Sequence, residues 1–242
     1  MKLWARLHGV MFPPSCRWCG HLLDPFAPIP GYPYVCAPCL AALPWATVNA
    51  YCPQCQTAMS HAPQAQCCAN QDLARVWAVF SYAEPLEKWI HRMKYGGEDV
   101  LVGLFGALMA QAPFGAAPGG AAQWLVPVPL HLKRLRWRGF NQSLLLARAW
   151  QREILAQGQA APQLAPHWLG RHRHTRPQME LGRDERHANV QQAFSVPAGV
   201  ATNGAVLLVD DVLTTGATLH ACARVLRQSG VTRVEALVLA RA

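Results

Sequence analysis

Long apolar runs are missing from this 242-residue chain, and so are the glycine motifs of the commonest nucleotide enzymes. The longest apolar stretch, residues 100–110, is about half of what a bilayer span requires. Gly103 and Gly106 also interrupt it, so it reads as a core helix. The amino-terminal apolar residues are broken by Arg6, His8 and two prolines, which makes a poor export signal and sets the expected location in the cytoplasm. No G-x-x-x-x-G-K-[ST] occurs, which argues against a P-loop ATPase, and no G-x-G-x-x-G opens a helix, which argues against a dinucleotide enzyme. Repeats and heptads are absent. Charge is scarce at 14% of residues against 52% hydrophobic, which excludes a disordered polyelectrolyte and favours a packed globule.

Acids are scarcer than bases: 13 Asp and Glu stand against 22 Lys and Arg, a formal charge of +9. The excess is local. Residues 131–190 hold eleven basic residues and four acids, a net of +7. An arginine field of this density attracts phosphates through bidentate contacts, whether on a nucleotide, an activated sugar or a nucleic-acid backbone; the alternative is a solvated basic face.

Cysteine is concentrated. Eight of nine lie between Cys16 and Cys68. Without an export signal a disulfide framework is not expected, and a metal explains the clustering better. Cys16 and Cys19, then Cys36 and Cys39, form two C-x2-C knuckles separated by sixteen residues. Four thiolates so spaced suit the closed tetrahedral site of structural Zn²⁺. The segment between them is rich in proline and glycine and buries little alone, so the metal would supply much of its folding free energy. A second set, Cys52 and Cys55 with the adjacent Cys67 and Cys68, is irregular and reads as a degenerate or metal-free ribbon. Cys222 falls in a predicted helix and reads as a small buried hydrophobe.

A boundary near residue 73 divides the chain into a cysteine-rich module, 1–73, and a larger domain, 74–242. In the latter, "RVWAVFSY" predicts a strand and "PLEKWIHRMKY" an amphipathic helix with Leu86, Trp89, Ile90 and Met93 on one face. Residues 112–123 form a Gly/Pro/Ala loop. "WLVPVP" predicts a buried strand, "GFNQSLLLARAWQREILAQG" a helix stopped at Gly158, and "APHWL" a second strand. Residues 170–189 lack a period and read as a long exposed loop, large enough to be functional. A strand over 205–209, a helix over 218–229 and a strand over 234–239 close the chain. The alternation of strands and helices predicts an α/β fold with a parallel sheet and helices on both faces.

From the first of these strands into the helix runs "VLLVDDVLTTGATL", residues 206–219. In open parallel sheets ligands bind at the carboxyl ends of strands, where Asp210 and Asp211 are expected. The segment Val212, Leu213, Thr214, Thr215, Gly216, Ala217 and Thr218 leads into a helix whose first amides lack internal partners and whose dipole favours an anion. Gly216 permits close backbone approach, and the threonine hydroxyls donate to phosphate oxygens without adding charge. Carboxylates repel phosphate but accept hydrogen bonds from a sugar diol. A ribose bearing a 5′-phosphate satisfies both halves.

The string resembles the phosphoribosyl-pyrophosphate signature of type I phosphoribosyltransferases. Together with the cysteine knuckles, "VPVPLHLKRLRWRGFNQS" and "TRPQMELGRDERHANVQQAF" are similar to the ComF family, a group linked to competence and DNA uptake or utilisation. The resemblance covers nearly the whole chain. It implies phosphoribosyl pyrophosphate with Mg²⁺ as ligand, acids on the ribose hydroxyls and the loop on the 5′-phosphate. It implies a pyrophosphate-contacting loop at Arg138, Gly139, Phe140 and Asn141. It also implies a hood carrying Arg176, Gln178, Arg186 and Asn189. Lys94 and Tyr95 in "MKYGGED" match a ComF segment without an implied role, a solvated helix end being the alternative.

The implied reaction is displacement of pyrophosphate from the anomeric carbon, with catalysis by positioning and electrostatics. Arg138, Arg176 and Arg186 would neutralise the leaving group, and Asp210 and Asp211 would stabilise the cationic ribose. No general base is evident, and His172, His174 and His187 read as surface histidines. The rival is a non-catalytic zinc-ribbon protein that grips single-stranded DNA, working with competence-machinery proteins and keeping the sugar-phosphate pocket. Trp4, Trp18, Trp45 and Trp77 are its candidate stacking surfaces, or else a small core.

Overall fold

The computed structural model describes residues 14–24, 27, 29, 32, 34–47, 50–52, 72–96, 99–114, 118, 120–172, 193–200 and 203–242. The elements in chain order are α1 (Ala37–Ala41), β1 (Ala50–Tyr51), β2 (Arg75–Ser81), α2 (Leu86–Tyr95) and α3 (Asp99–Ala110), then β3 (Trp124–Pro127), α4 (Leu132–Arg138), α5 (Gln142–Ala156), β4 (Gln163–Leu164), β5 (Gly170–Arg171) and β6 (Phe194–Ser195), and last β7 (Ala205–Leu213), α6 (Ala217–Gln228) and β8 (Arg233–Arg241). The main sheet runs β1-β2-β8-β7-β3-β4. Only its edge strand β1 is antiparallel; β2–β8, β8–β7, β7–β3 and β3–β4 are parallel.

Strand alternation sorts the core into two faces, because successive side chains leave a strand in opposite directions. Leu207, Val209, Leu237 and Leu239 join Trp77 and Val79 on one face, under α2, α3 and α5. Val206, Leu208, Ala236 and Val238 join Val76 and Ala78 on the other, under α6. Helices therefore cover both faces, as the alternating pattern predicts. The stripe Leu86, Trp89, Ile90 and Met93 is the buried side of α2. Helices α3 and α5 meet at Gly106, where an added Cβ would lie 2.4 Å from the Cβ of Ala149. No side chain fits there, so glycine inside the helix is retained despite its conformational cost.

Among the buried polar side chains, Glu235 accepts from Trp77 Nε1 at 2.9 Å and pairs with Arg233 at 2.7 Å. Cys222 is fully buried, as expected for a core thiol. The cysteine-rich module adds to the first face: Cys16, Tyr32, Val35, Cys39 and Leu43 lie in the same cluster as α2. Trp18 packs on Trp89 with ring centroids 4.1 Å apart. Arg92 donates to the Arg17 carbonyl at 2.9 Å, and the Tyr32 hydroxyl donates to Gln111 at 2.6 Å.

Two sequence expectations are corrected, and one element the sequence left unread is added. "APHWL" is a turn, with Trp168 N–H on the Ala165 carbonyl, and the short strand lies just before it at Gln163–Leu164. Residues 132–138 form α4, a helix that buries none of its residues and so leaves no apolar period to read. β7 runs on to Leu213, beyond the expected end at 209, so both carboxylates lie within the strand. Among the described residues no helix is long and apolar enough to cross a membrane.

Candidate functional site

The carboxyl ends of β3 and β7 converge with the loop between β7 and α6. Asp210, Val212, Leu213 and residues 214–219 line one small cavity there. Gly216 caps α6 in the left-handed conformation (φ +77°), and no side chain caps that helix. The loop thus turns sharply onto a twelve-residue helix whose first residues line this cavity and whose first amides have no side-chain cap. Ala217 N–H approaches Thr215 Oγ1 at 3.5 Å, a weak contact that leaves the hydroxyl available.

The two acids do not act alike. Asp210 lines this cavity; its Oδ1 accepts from Ser143 Oγ and from the Asp211 amide, both at 2.9 Å. Asp211 is turned inward: its Oδ1 accepts from Val212 N–H at 2.7 Å, and its Oδ2 pairs with Lys94 Nζ at 2.7 Å, with side chains 8% and 20% exposed. Period-two alternation accounts for the split, since Asp210 follows Leu208 and Asp211 follows Val209. Burial, aided by the charge of Asp211, pushes the Asp210 carboxyl up from 3.8 to about 7, against the opposing pull of Ser143, the Asp211 amide and Lys94.

The turn between α4 and α5 is tied to the same place. Asn141 caps α5, accepting from Ser143 N–H at 3.0 Å, and its Nδ2 donates to the Val128 carbonyl at 3.0 Å. This anchors the turn to the end of β3 and sets Ser143 against Asp210. Arg138 donates to Gln142 at 2.6 Å and lies over the Tyr95 ring at 4.9 Å; Gly139 ends α4 at φ +83°. Arg138 and Phe140 line a second cavity with Lys94, Tyr95 and Trp137. Arg176, Gln178, Arg186 and Asn189 lie outside the described residues, as do Cys55, Cys67 and Cys68. The hairpin β5–β6, with Arg171 over Phe194 at 5.2 Å and His172 bonded to Ser195, brackets the span 173–192.

Sequence reasoning missed Ser143 and undervalued Lys94. Lys94 stood out only as a family match, because nothing local distinguishes a lysine aimed at a distant carboxylate from one in solvent.

Cys16, Cys19, Cys36 and Cys39 converge, with one ligand atom of each within 4.8 Å of all the others. Cys19 Sγ and Cys36 Sγ are 3.7 Å apart. A tetrahedron with Zn–S of about 2.3 Å has an edge of about 3.8 Å, so the set fits zinc. Burial raises the Cys16 thiol, but the amides of Cys19, Cys36 and Trp18 outweigh it and lower it from 9.0 to about 6. Burial and the neighbouring sulfurs push Cys39 well up. One thiolate forms readily, and four need a shared dication. Cys52 is buried.

Comparison with known proteins agrees with this geometry. Residues 183–242 match the phosphoribosyl transferase domain family. Competence protein F of Haemophilus influenzae is 30% identical over 203 residues, covering 79% of this chain and 85% of that protein. DNA utilization protein YhgH of Escherichia coli K12 is 29% identical over 229 residues, covering 88% and 98%. Competence protein ComFC of Streptococcus pneumoniae is 27% identical over 164 residues, covering 68% and 67%. Sheet, loop and acids define an α/β protein with the type I phosphoribosyltransferase-like fold, joined to a zinc-ribbon module. Within that class the chain belongs to the ComF family.

Proposed function

We propose that the protein binds phosphoribosyl pyrophosphate with Mg²⁺ and transfers its phosphoribosyl group to a nucleophile, in the service of DNA uptake or utilisation. One observation carries this reading: Asp210 and the threonine-glycine loop line the same cavity at the carboxyl end of β7. The loop amides and the hydroxyls of Thr214, Thr215 and Thr218 hold the 5′-phosphate. Asp210 accepts from a ribose hydroxyl, and Asp211, braced by Lys94, fixes the strand end beneath it. The bond from the anomeric carbon to pyrophosphate breaks with its electron pair leaving on the pyrophosphate, while the acceptor forms the new bond and releases a proton. Positive charge on the ring faces Asp210, and negative charge on the leaving group faces Arg138, with Arg176 and Arg186 from the hood.

The donor set fits Mg²⁺ in one respect: burial and a neighbouring charge hold Asp210 near pH 7, and an adjacent cation would favour its ionised form. Bound Mg²⁺ supplies neutralisation of the diphosphate. The four-cysteine set holds a structural Zn²⁺, the domains divide near residue 73, and the location is cytoplasmic.

Calorimetry tests the sugar assignment. Asp210→Asn with Asp211→Asn abolishes phosphoribosyl pyrophosphate binding while the fold persists; unchanged affinity refutes it. Pyrophosphate release in the presence of nucleobases, amines or DNA identifies the acceptor.

A second reading is supported by α4. Lys133, Arg134, Arg136 and Arg138 are four of its seven residues, and none of the helix is buried. A non-catalytic grip on single-stranded DNA, shared with competence-machinery proteins, uses that face and weakens steeply with salt, with no pyrophosphate released.

A further inference from the structure

Two adjacent carboxylates carry four oxygens between them, and a sugar diol needs two of these open. The chain itself takes most of that capacity. Asp210 Oδ1 accepts from Ser143 Oγ and from the Asp211 amide, both at 2.9 Å, which fills its two lone pairs. Asp211 Oδ1 accepts from Val212 N–H at 2.7 Å, and Asp211 Oδ2 lies 2.7 Å from Lys94 Nζ. Asp211 is also buried, so a ligand reaches neither of its oxygens. Among the described residues no donor reaches Asp210 Oδ2, and Asp210 lines the cavity of the threonine-glycine loop. One carboxylate oxygen is thus left for a sugar.

Ser143 decides which oxygen that is. A carboxylate free to turn about its Cβ–Cγ bond can offer both oxygens to a diol, whereas one pinned at Oδ1 cannot. Ser143 is 1% exposed, so water does not compete for the bond. Its own place is fixed: its N–H donates to Asn141 Oδ1 at 3.0 Å, and Asn141 Nδ2 donates to the Val128 carbonyl at 3.0 Å. The cavity then selects the hydroxyl. Its volume is about 40 Å³, the space of about three waters, so Asp210 Oδ2 and the phosphate seat are close neighbours. In a pentose 5-phosphate, C3 is nearer than C2 to the carbon that bears the phosphate. The hydroxyl on C3 is therefore the one within reach.

We infer that the site reads a single sugar hydroxyl, that on C3, and so takes 2-deoxyribose 5-phosphate about as well as ribose 5-phosphate, with Ser143 as the positioning residue that sets this preference. A clamp made by both acids would instead require the diol and reject the deoxy sugar. The inference rests on the phosphoribosyl reading above and narrows it to the number of hydroxyls the acids recognise.

Calorimetry of the full chain with ribose 5-phosphate, 2-deoxyribose 5-phosphate, 3-deoxyribose 5-phosphate and inorganic phosphate tests this. The first two are expected to bind within about threefold of each other, and the 3-deoxy sugar about tenfold more weakly, as befits the loss of a hydrogen bond to a charged acceptor. Ser143→Ala, still folded by its thermal melt, is expected to favour ribose over 2-deoxyribose 5-phosphate by about tenfold, because the released carboxylate turns both oxygens to the diol. Ser143→Thr keeps the hydroxyl and restores the parent ratio. Lost packing alone would weaken both sugars alike and leave that ratio unmoved. Should Ser143→Ala unfold, the parent measurements decide. A 2-deoxy sugar held about tenfold or more weakly by the parent overturns the inference. So does a 3-deoxy sugar held as tightly as ribose 5-phosphate, or a parent ratio in folded Ser143→Ala. In each of these cases pentose phosphates still bind more tightly than inorganic phosphate, and the phosphoribosyl reading stands. Pentose phosphates held no more tightly than inorganic phosphate sink both.

Discussion

Asp210 and Asp211 are neighbours in sequence, yet they belong to different regions of the molecule. On the α6 face, Asp210 meets a loop with an open cavity, a hydroxyl and backbone amides. On the face under α2, Asp211 meets a lysine from a helix more than a hundred residues earlier, against which the cysteine module packs. The first region is built mostly from local sequence, with Ser143 of α5 as its distant contributor, and is shaped to receive something. The second is assembled from distant segments and is already satisfied. Two identical side chains thus meet different surroundings, because neighbouring residues of a strand point to opposite faces and find different partners there.

The largest expected effect falls on the second region only. Chelating zinc, or Cys39→Ser, should melt the cysteine module, since structural zinc sites are worth about 10–16 kcal/mol. Scanning calorimetry should lose that contribution, and metal analysis of the parent should find about one zinc per chain. Protein purified without chelator that holds no zinc and melts unchanged on chelation would remove this half of the comparison.

Next is the ion pair. Lys94→Met leaves Asp211 charged, buried and unpaired and should cost about 3 kcal/mol in denaturant unfolding, with much of the loss recovered in Lys94→Met with Asp211→Leu. Additive losses would mean the pair is not coupled. Asp210→Asn should behave oppositely. Phosphoribosyl pyrophosphate affinity should fall about tenfold or more, with little loss of stability.

The acid shift sharpens that contrast through pH. A carboxyl at about 7 in the fold and 3.8 when unfolded binds more protons in the native state, so stability falls as pH rises from about 4 to 7. Asp210→Asn should flatten this slope in urea titrations, and a slope left unchanged would place Asp210 in water. The smallest effect is expected at Gly216→Ala. The new Cβ meets His220 and Leu213 at an ordinary 3.5 Å, but φ +77° disfavours it by about 1 kcal/mol, visible as a small fall in melting temperature and in anion affinity.

These regions also differ in how much of them could be read beforehand. The threonine-glycine turn at 214–216, the four cysteines and the stripe of α2 are local patterns, and each appears where its spacing placed it. Helix α4 was invisible because "LKRLRWR" buries nothing and His131, an uncommon cap, accepts from the Lys133 amide at its start. The Asp210–Asp211 split was obscured because the strand seemed to finish at Val209, which put both acids in a loop where alternation says nothing. The Lys94 contact required knowing that the end of α2 lies within reach of the end of β7, a fact of topology rather than of pattern.

One helix joins everything on the buried side. α2 presents Trp89 and Arg92 to the cysteine module and ends in Lys94 beneath the acidic strand. Oxidising the thiolates should therefore register far from the sulfur, as a weaker hold on a phosphorylated sugar by a loop that never touches the ion.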